Sequence, residues 1–426
     1  MNIPELYSLY LQYPSVQTDT RKLRSGDIFF ALKGPSFNGN QFAQKALEAG
    51  AAYAVIDEAE YEVAGKTILV EDVLIALQQL AKYHRQQFAI PFLAITGSNG
   101  KTTTKELIHA VLSTTFITYT TEGNLNNHIG VPLTLLKIRP DAQMAVIEMG
   151  ANHQREIASY CEIVLPTHGL ITNCGKAHLE GFGGVEGVRK GKGELFDHLR
   201  AHKGTAFMMK DYDYLRDMSK GIPEIISYGT SDAEVVGQAS KTDPFLEVTF
   251  TKGLEGTIHT QLVGAYNLPN ILAAVTIGNY FKVPAEKTRS AIEAYAPSNS
   301  RSQLVQKGDS KIILDAYNAN PSSMKAAIEN FAGAAGEQKI LVLGAMAELG
   351  EESLEEHKMI LSEINKHTWK DVLLVGGDFQ KLEHPYQTFA TATEAGQWLK
   401  NHRDGAAYYL VKGSRSMQME KVVEYL

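Results

Sequence analysis

The sequence predicts an α/β protein of three domains, and three observations predict it. Apolar runs of strand length recur along the 426 residues, at 28–32, 53–56, 67–70, 92–95, 144–147, 169–172, 311–314, 339–343, 371–375 and 407–411. Many are separated by segments with apolar residues at helical spacing, of which Leu74, Leu77, Leu80, Ala81, His84 and Phe88 form one stripe. Such alternation specifies helices crossing over between largely parallel strands. Two breaks then divide the chain: a helix that ends before a proline near 87–91, and the polar, turn-rich stretch APSNSRSQ at 296–303. The expected domains are 1–88, 89–296 and 297–426, which agrees with roughly 150 residues per domain.

Composition narrows the function classes. Hydrophobic residues make up 44% and charged residues 21%, which excludes a disordered tail, a collagen-like chain and a long coiled coil. The net charge is −7 with no basic block, so a nucleic-acid partner has no electrostatic footprint and an anionic ligand needs a local site. Cys161 and Cys174 lack C-x-x-C spacing and are expected to be reduced thiols. The opening MNIPELYSLY reaches its first basic residue only at Arg21, unlike a secretory signal. The longest purely apolar run, 51–56, is far too short to span a bilayer. A cytoplasmic protein without a membrane span is expected, with a monomer as the default.

The most specific local signal is PFLAITGSNGKTTTKELIHAVL at 91–112. A buried strand enters a glycine loop, and a helix starts at the lysine. Gly97 and Gly100 let the backbone N–H groups of Gly97, Ser98, Asn99 and Gly100 approach phosphate oxygens. Lys101 can reach the terminal phosphates, and Thr102 or Thr103 can bind Mg²⁺. The first glycine lies four residues before the lysine, so this is the short TGxxGKT form rather than G-x-x-x-x-G-K-[ST].

Phosphoryl transfer also needs oxygen ligands for the metal. VIEMGANH places Glu148 at the end of an apolar strand in the sheet that carries the loop. ITNCGKAHLEGFG places His178 after another strand, either as a site residue or as a structural histidine. Lys192 in VRKGKGELF has the wrong sign to bind a cation and looks like surface charge. GAYNLPNILAA carries Asn267 and Asn270 around a proline at a helix start, either reading an adenine edge or capping the helix. In KIILDAYNANPSS, Asp315 follows a strand, where a ribose hydroxyl is commonly held. Arg301 lies just past the second break, free to reach a phosphate, and VLGAMAELGEE and YLVKGSRSM supply further strand-end loops.

Taken together these motifs resemble the Mur ligase family over nearly the whole length. TDTRKLRSGDIFFALKG and EAGAAYAVID resemble its UDP-holding domain. TGSNGKTTTKE, GNLNNHIGVPLTLL, VIEMGANHQREI, ITNCGKAHLEGFG and KGKGELF follow in the family's order, and then ILDAYNANPSSM, VLGAMAELGE and VKGSRSM. The resemblance implies a small UDP-binding α/β domain, a central phosphate-loop ATPase domain and a Rossmann-like third domain. The Asn-Ala-Asn-Pro and LGAMAELG segments resemble the branch that joins D-Ala-D-Ala to UDP-MurNAc-tripeptide, and the Asp-Asn-Pro-Arg signature of a sibling branch is absent.

By resemblance, Lys101 and Thr102 would bind ATP phosphates and Mg²⁺, at two metal sites. Glu148 and His178 would be metal-associated. Lys192 would react with CO₂ to give a carbamate, which turns a cation into an oxygen ligand and requires a depressed pKa. Asn267, Asn270, Arg301 and Asp315 would hold adenosine or its phosphates. Thr20, Arg21, Asn126, Asn127, Asn318, Asn320 and Arg415 would contact the UDP-sugar peptide or the incoming dipeptide. Three positions depart from the family's habit: Tyr266 and Asn40 where histidine is common, and Ala316 where a second acid is common. The rival readings are another Mur-type ligase such as MurE, a folylpolyglutamate synthase, and a phosphate-loop NTPase switch.

Overall fold

The computed structural model describes residues 2–298, 300–402 and 404–426. Three main sheets carry the chain, and a two-stranded hairpin, Lys33–Gly34 with Phe37–Asn38, accompanies the first. The first sheet is wholly parallel, in the order Val16–Gln17, Ile28–Phe30, Tyr53–Ile56, Thr67–Leu69. Helix Ile3–Gln12 starts in a capping box between Asn2 and Glu5. Helix Val73–Arg85 starts at Asp72, whose side chain accepts from the Ile75 N–H. The expected stripe is its buried face, with Leu77, Leu80, Ala81 and His84 inside and Leu74 half-buried. Phe88 lies past the helix end but stacks edge-on against His84.

The central sheet has nine strands. From Thr118–Thr120 the order runs through Met144–Glu148, Phe92–Thr96, His168–Ile171, Thr205–Met209 and Glu224–Gly229 to Val235–Lys241, all parallel. Glu247–Lys252 and Gly256–His259 then add an antiparallel edge. Apolar runs do not reveal this edge, because its strands alternate buried and exposed residues or are largely exposed. The third sheet orders Gln303–Lys307, Ser310–Asp315, Tyr408–Lys412, Lys339–Gly344, Asp371–Val375 and Gln387–Phe389, parallel except for its first pair.

The three units meet at two junctions. At the first, Tyr10 Oη donates to the Leu136 carbonyl, and Arg139 donates to Tyr10 Oη at 3.0 Å and to the Pro14 carbonyl at 2.5 Å. At the second, Asn320 Nδ2 donates to Asn99 Oδ1 at 2.7 Å, and Lys176 donates from Nζ to Glu356 at 2.5 Å. Both cysteines are buried and free. No helix among the described residues is long and apolar enough to cross a membrane.

Candidate active site

Strand Phe92–Thr96 lies between Met144–Glu148 and His168–Ile171. The chain lays two strands on one side of it and then crosses to the other. Strand order therefore reverses at its carboxyl end, the place where open α/β sheets bind ligands. A cleft of about 1140 Å³ opens there, lined by residues of the glycine loop, of both flanking strand ends and of the third sheet's loops.

The loop has the backbone its glycines permit. Gly97 has φ +143° and Gly100 has φ +78°. A Cβ on Gly97 would collide with the Thr172 hydroxyl, and one on Gly100 would come within 2.7 Å of Asn270 Oδ1. Helix Lys101–Ser113 starts at the expected lysine and buries Leu107, Ile108, Val111 and Leu112. Its N-terminus points positive partial charge at the loop. Lys101 Nζ folds back onto the loop carbonyls of Gly97 at 2.6 Å and Ser98 at 3.1 Å. Burial pushes its pKa down to about 8; the charge of Glu148 opposes this and that of Arg301 adds to it.

Glu148 is buried at the end of its strand, as expected. Its Oε1 accepts from Thr102 Oγ1 at 3.2 Å and from Asn126 Nδ2 at 2.9 Å. Its Oε2 is buried with no hydrogen-bond partner. A buried carboxylate oxygen without a donor is costly unless a cation takes it up. Thr102 and Glu148 therefore fit Mg²⁺ by their oxygen donors, and His178 lines the same cleft. His178 has a left-handed backbone, φ +52°, and its Nδ1 contacts the Glu348 carboxylate. That contact holds the Glu348 carboxyl below the usual carboxylate range.

The surface-charge reading of Lys192 is corrected by the fold. Its relative exposure is 0%, in helix Val185–Ala201. Nζ donates to the Ala151 carbonyl at 2.9 Å and sits 4.9 Å from the Phe182 ring centroid. Burial first, and the charge of Lys101 second, hold its pKa well below that of an ordinary lysine.

At the nucleotide end a relay crosses the cleft wall. Thr104 Oγ1 donates to Asn270 Oδ1 at 2.9 Å, Asn270 to Asn267 Oδ1 at 2.8 Å, and Asn267 to the Val263 carbonyl at 2.8 Å. Neither amide caps helix Leu268–Tyr280, so the capping alternative is excluded, while both residues line the cleft. Tyr266, the departure from histidine, pairs through its hydroxyl with Ser302 Oγ at 2.9 Å. Arg301 stacks on the Tyr317 ring at 3.5 Å. Asp315 accepts from the buried Lys412 at 2.5 Å and from the Ser302 N–H at 3.1 Å.

The remaining predicted residues divide. Ser98, Asn99, Thr103, Asn126, Asn127, Asn318 and Asn320 line the cleft. The Asn127 side chain also accepts from the Gly130 N–H at 2.9 Å. Thr20 and Arg21 lie in the turn Thr20–Lys22 of the first unit, outside the cleft lining, with Arg21 86% exposed and paired to Asp19. Arg415 is likewise outside the lining and pairs with Glu420 at 2.9 Å. Sequence reasoning missed Tyr212, Tyr214, Tyr317 and Lys412 in or beside the cleft, and Lys176, Glu348 and Glu356 at its third-domain edge. Several stood inside motifs already noted, YLVKGSRSM and LGAMAELG among them, but nothing local marks which side chain meets which.

Fold and cleft define a nucleotide-binding enzyme of the phosphate-loop class, closed by a second α/β unit. Three family profiles match in succession: "Mur ligase family, catalytic domain" at 12–85, "Mur ligase middle domain" at 95–278 and "Mur ligase, glutamate ligase domain" at 300–418. The chain belongs to the Mur ligase family. It is 35% identical to the UDP-N-acetylmuramoyl-tripeptide–D-alanyl-D-alanine ligase of Bacillus subtilis (strain 168), over 96% of this chain and 92% of that one. Its fold is similar to a crystal structure of MurF from Acinetobacter baumannii, with TM-score 0.88 and 31% identity over 96% and 92% of the two chains. It is also similar to MurF ligase from Thermotoga maritima in complex with ADP, with TM-score 0.86 and 25% identity over 97% of each chain.

Proposed function

We propose that this chain joins D-Ala-D-Ala to UDP-MurNAc-tripeptide at the expense of ATP, giving UDP-MurNAc-pentapeptide, ADP and phosphate. The observation that carries the reading is the orphaned Glu148 oxygen beside Thr102, in the cleft lined by the phosphate loop and the third sheet's loops. The working units are 1–88 for the UDP-sugar, 89–296 for the ATP phosphates and 297–426 for adenosine and the incoming amine. No membrane component is needed, and a cytoplasmic monomer suffices.

A carboxylate is a poor electrophile, so the peptide carboxylate first attacks the γ-phosphorus of ATP. ADP leaves and an acyl phosphate forms. The amine of D-Ala-D-Ala then attacks the acyl carbon, a tetrahedral intermediate collapses, and phosphate leaves. Lys101 exchanges the Gly97 and Ser98 carbonyls for phosphoryl oxygens, which the loop amides also bind. Asn126 holds Glu148 in place from the peptide side of the cleft. Asn267 and Asn270 receive the adenosine end, with Arg301 and Asp315 beyond them. Thr20 and Arg21 serve the UDP end, and Arg415 the dipeptide carboxylate. The third unit excludes water from the acyl phosphate.

Thr102, Glu148, His178 and a carbamate on Lys192 would hold the Mg²⁺ ions, whose chemistry is to neutralise phosphoryl charge. Lys192, whose pKa burial lowers, can add the lone pair of its neutral amine form to CO₂; one N–H proton goes to solvent and a carbamate anion remains. Activity lost in Lys192→Ala and partly restored by a short carboxylic acid supports this, and full activity in the untreated variant rejects it. The deciding experiment for the reaction is phosphate release with ATP, Mg²⁺, UDP-MurNAc-tripeptide and D-Ala-D-Ala, omitting one at a time. Release that needs every component, with a product mass matching the added dipeptide, supports the ligase. Release with ATP alone rejects it in favour of an NTPase.

A further inference from the structure

The loop 173–178 bridges two sets of fastenings. On one side it is tied to the phosphate loop. The Ser98 N–H donates to the Asn173 carbonyl at 2.9 Å, the Asn99 N–H to Asn173 Oδ1 at 3.0 Å, and Ser98 Oγ to the Gly175 carbonyl at 2.9 Å. On the other side the Cys174 N–H donates to Tyr214 Oη of the second unit at 3.2 Å, and three further ties come from the third unit. Ser322 Oγ accepts the Lys176 N–H at 3.0 Å, Glu356 accepts Lys176 Nζ at 2.5 Å, and Glu348 contacts His178 Nδ1.

Glu356 is the unusual member. It stands in the first turn of helix Ser353–Ile364, and its side chain is only 5% exposed. A carboxylate this buried needs a cation, and Lys176, from a different unit, supplies it. Two residues further on, His178 is held in a left-handed conformation that a non-glycine residue adopts only under local constraint.

We propose that Lys176 and Glu356 are positioning residues for the ligation: their ion pair fixes the loop 173–178, and with it His178, in working position when the third unit covers the cleft. The inference rests on the ligase reading above and adds a coupling to it. The phosphate loop and the third unit grip the same six-residue segment, so displacement of the third unit slackens the segment that carries His178. Neither residue lines the cleft, so both act through His178 rather than on substrate.

The test uses the full chain with Lys176→Met, Glu356→Gln and the charge swap Lys176→Glu with Glu356→Lys. The first readout is steady-state ligation. Each single variant should lower kcat by about thirtyfold while the KM for UDP-MurNAc-tripeptide stays within about threefold, since the loss lies in positioning rather than in binding that substrate. The swap should recover at least about a third of the wild-type kcat, because opposite charges still meet. The second readout is amide hydrogen exchange without substrates. Exchange across 173–178 should rise in the single variants and fall back in the swap, with helix Lys101–Ser113 unaffected.

Unchanged exchange across 173–178 in both single variants overturns the inference, as does a swap no better than either single variant. Glu356→Gln keeps the side-chain volume, so it carries the test if Lys176→Met fails to fold. A wild-type protein that does not ligate would defeat the functional reading alone. The exchange comparison would still decide the positioning role.

Discussion

The two junctions of this molecule are built from different materials. Where the first unit meets the second, one buried arginine does much of the fastening. Arg85 donates to the carbonyls of Val164 at 2.7 Å, Leu165 at 2.9 Å and Phe88 at 2.9 Å, and its guanidinium lies 3.6 Å from the Phe92 ring centroid. At the same junction Tyr7 and Tyr10 pack tilted and edge-on against His84, and His84 Nε2 meets the Ile138 carbonyl at 2.9 Å. Where the third unit meets the second, the ties described above are polar side chains such as Asn99, Asn320, Lys176 and Ser322. Water can replace a half-exposed amide pair at little cost, but it is a poor substitute for a buried guanidinium that serves three carbonyls at once. The first junction is therefore expected to be the costlier of the two to separate, and the second the cheaper.

Arg85→Ala should produce the largest effect. It leaves the buried Val164 carbonyl without its donor, removes the donor of two half-buried carbonyls and empties the face of Phe92, so a loss of about 3 kcal/mol is expected in urea unfolding at neutral pH. An unchanged midpoint would remove the contrast between the junctions. Tyr10→Phe follows, with about 1 kcal/mol lost, because the Leu136 carbonyl and Arg139 each lose a partner.

His84 gives a pH signature. Burial, with Arg139 adding to it, holds its pKa below the ordinary value of 6.5, while its bond to the Ile138 carbonyl opposes the shift. As pH falls below 6.5 the unfolded chain takes up the proton first, so stability falls until the folded histidine also protonates. Unfolding midpoints measured across this acid range should decline in the wild type and less steeply in His84→Gln; parallel curves would show that another group governs the decline. The smallest stability effect belongs to the second junction. Asn99→Ala should cost less than about 0.5 kcal/mol, yet raise the radius of gyration by X-ray scattering as the third unit loosens. A loss as large as that of Arg85→Ala would make the two junctions alike.

Several features were legible because they are local. A helix beginning at Lys101 follows from a glycine loop, a lysine and apolar residues at helical spacing, and the structure begins it there. Glu148 at the end of a buried strand follows from the same short-range pattern. These depend on backbone sterics and on periodicity within a dozen residues, which a single sequence contains. The antiparallel edge formed by residues 235–259 was not legible, since its strands lack a continuous apolar run.

By itself, then, the sequence determined the α/β alternation, the phosphate loop and the acid beside it. Only the tertiary structure decided that Lys192 is buried against a neutral carbonyl, that Asp315 pairs with Lys412 across 97 residues and that Glu356 takes its cation from Lys176 across 180. The reason is physical. Whether a lysine is a solvated charge, half of an ion pair or a neutral amine depends on the dielectric and the partners around it, and both are set by chain segments that meet only when the units pack.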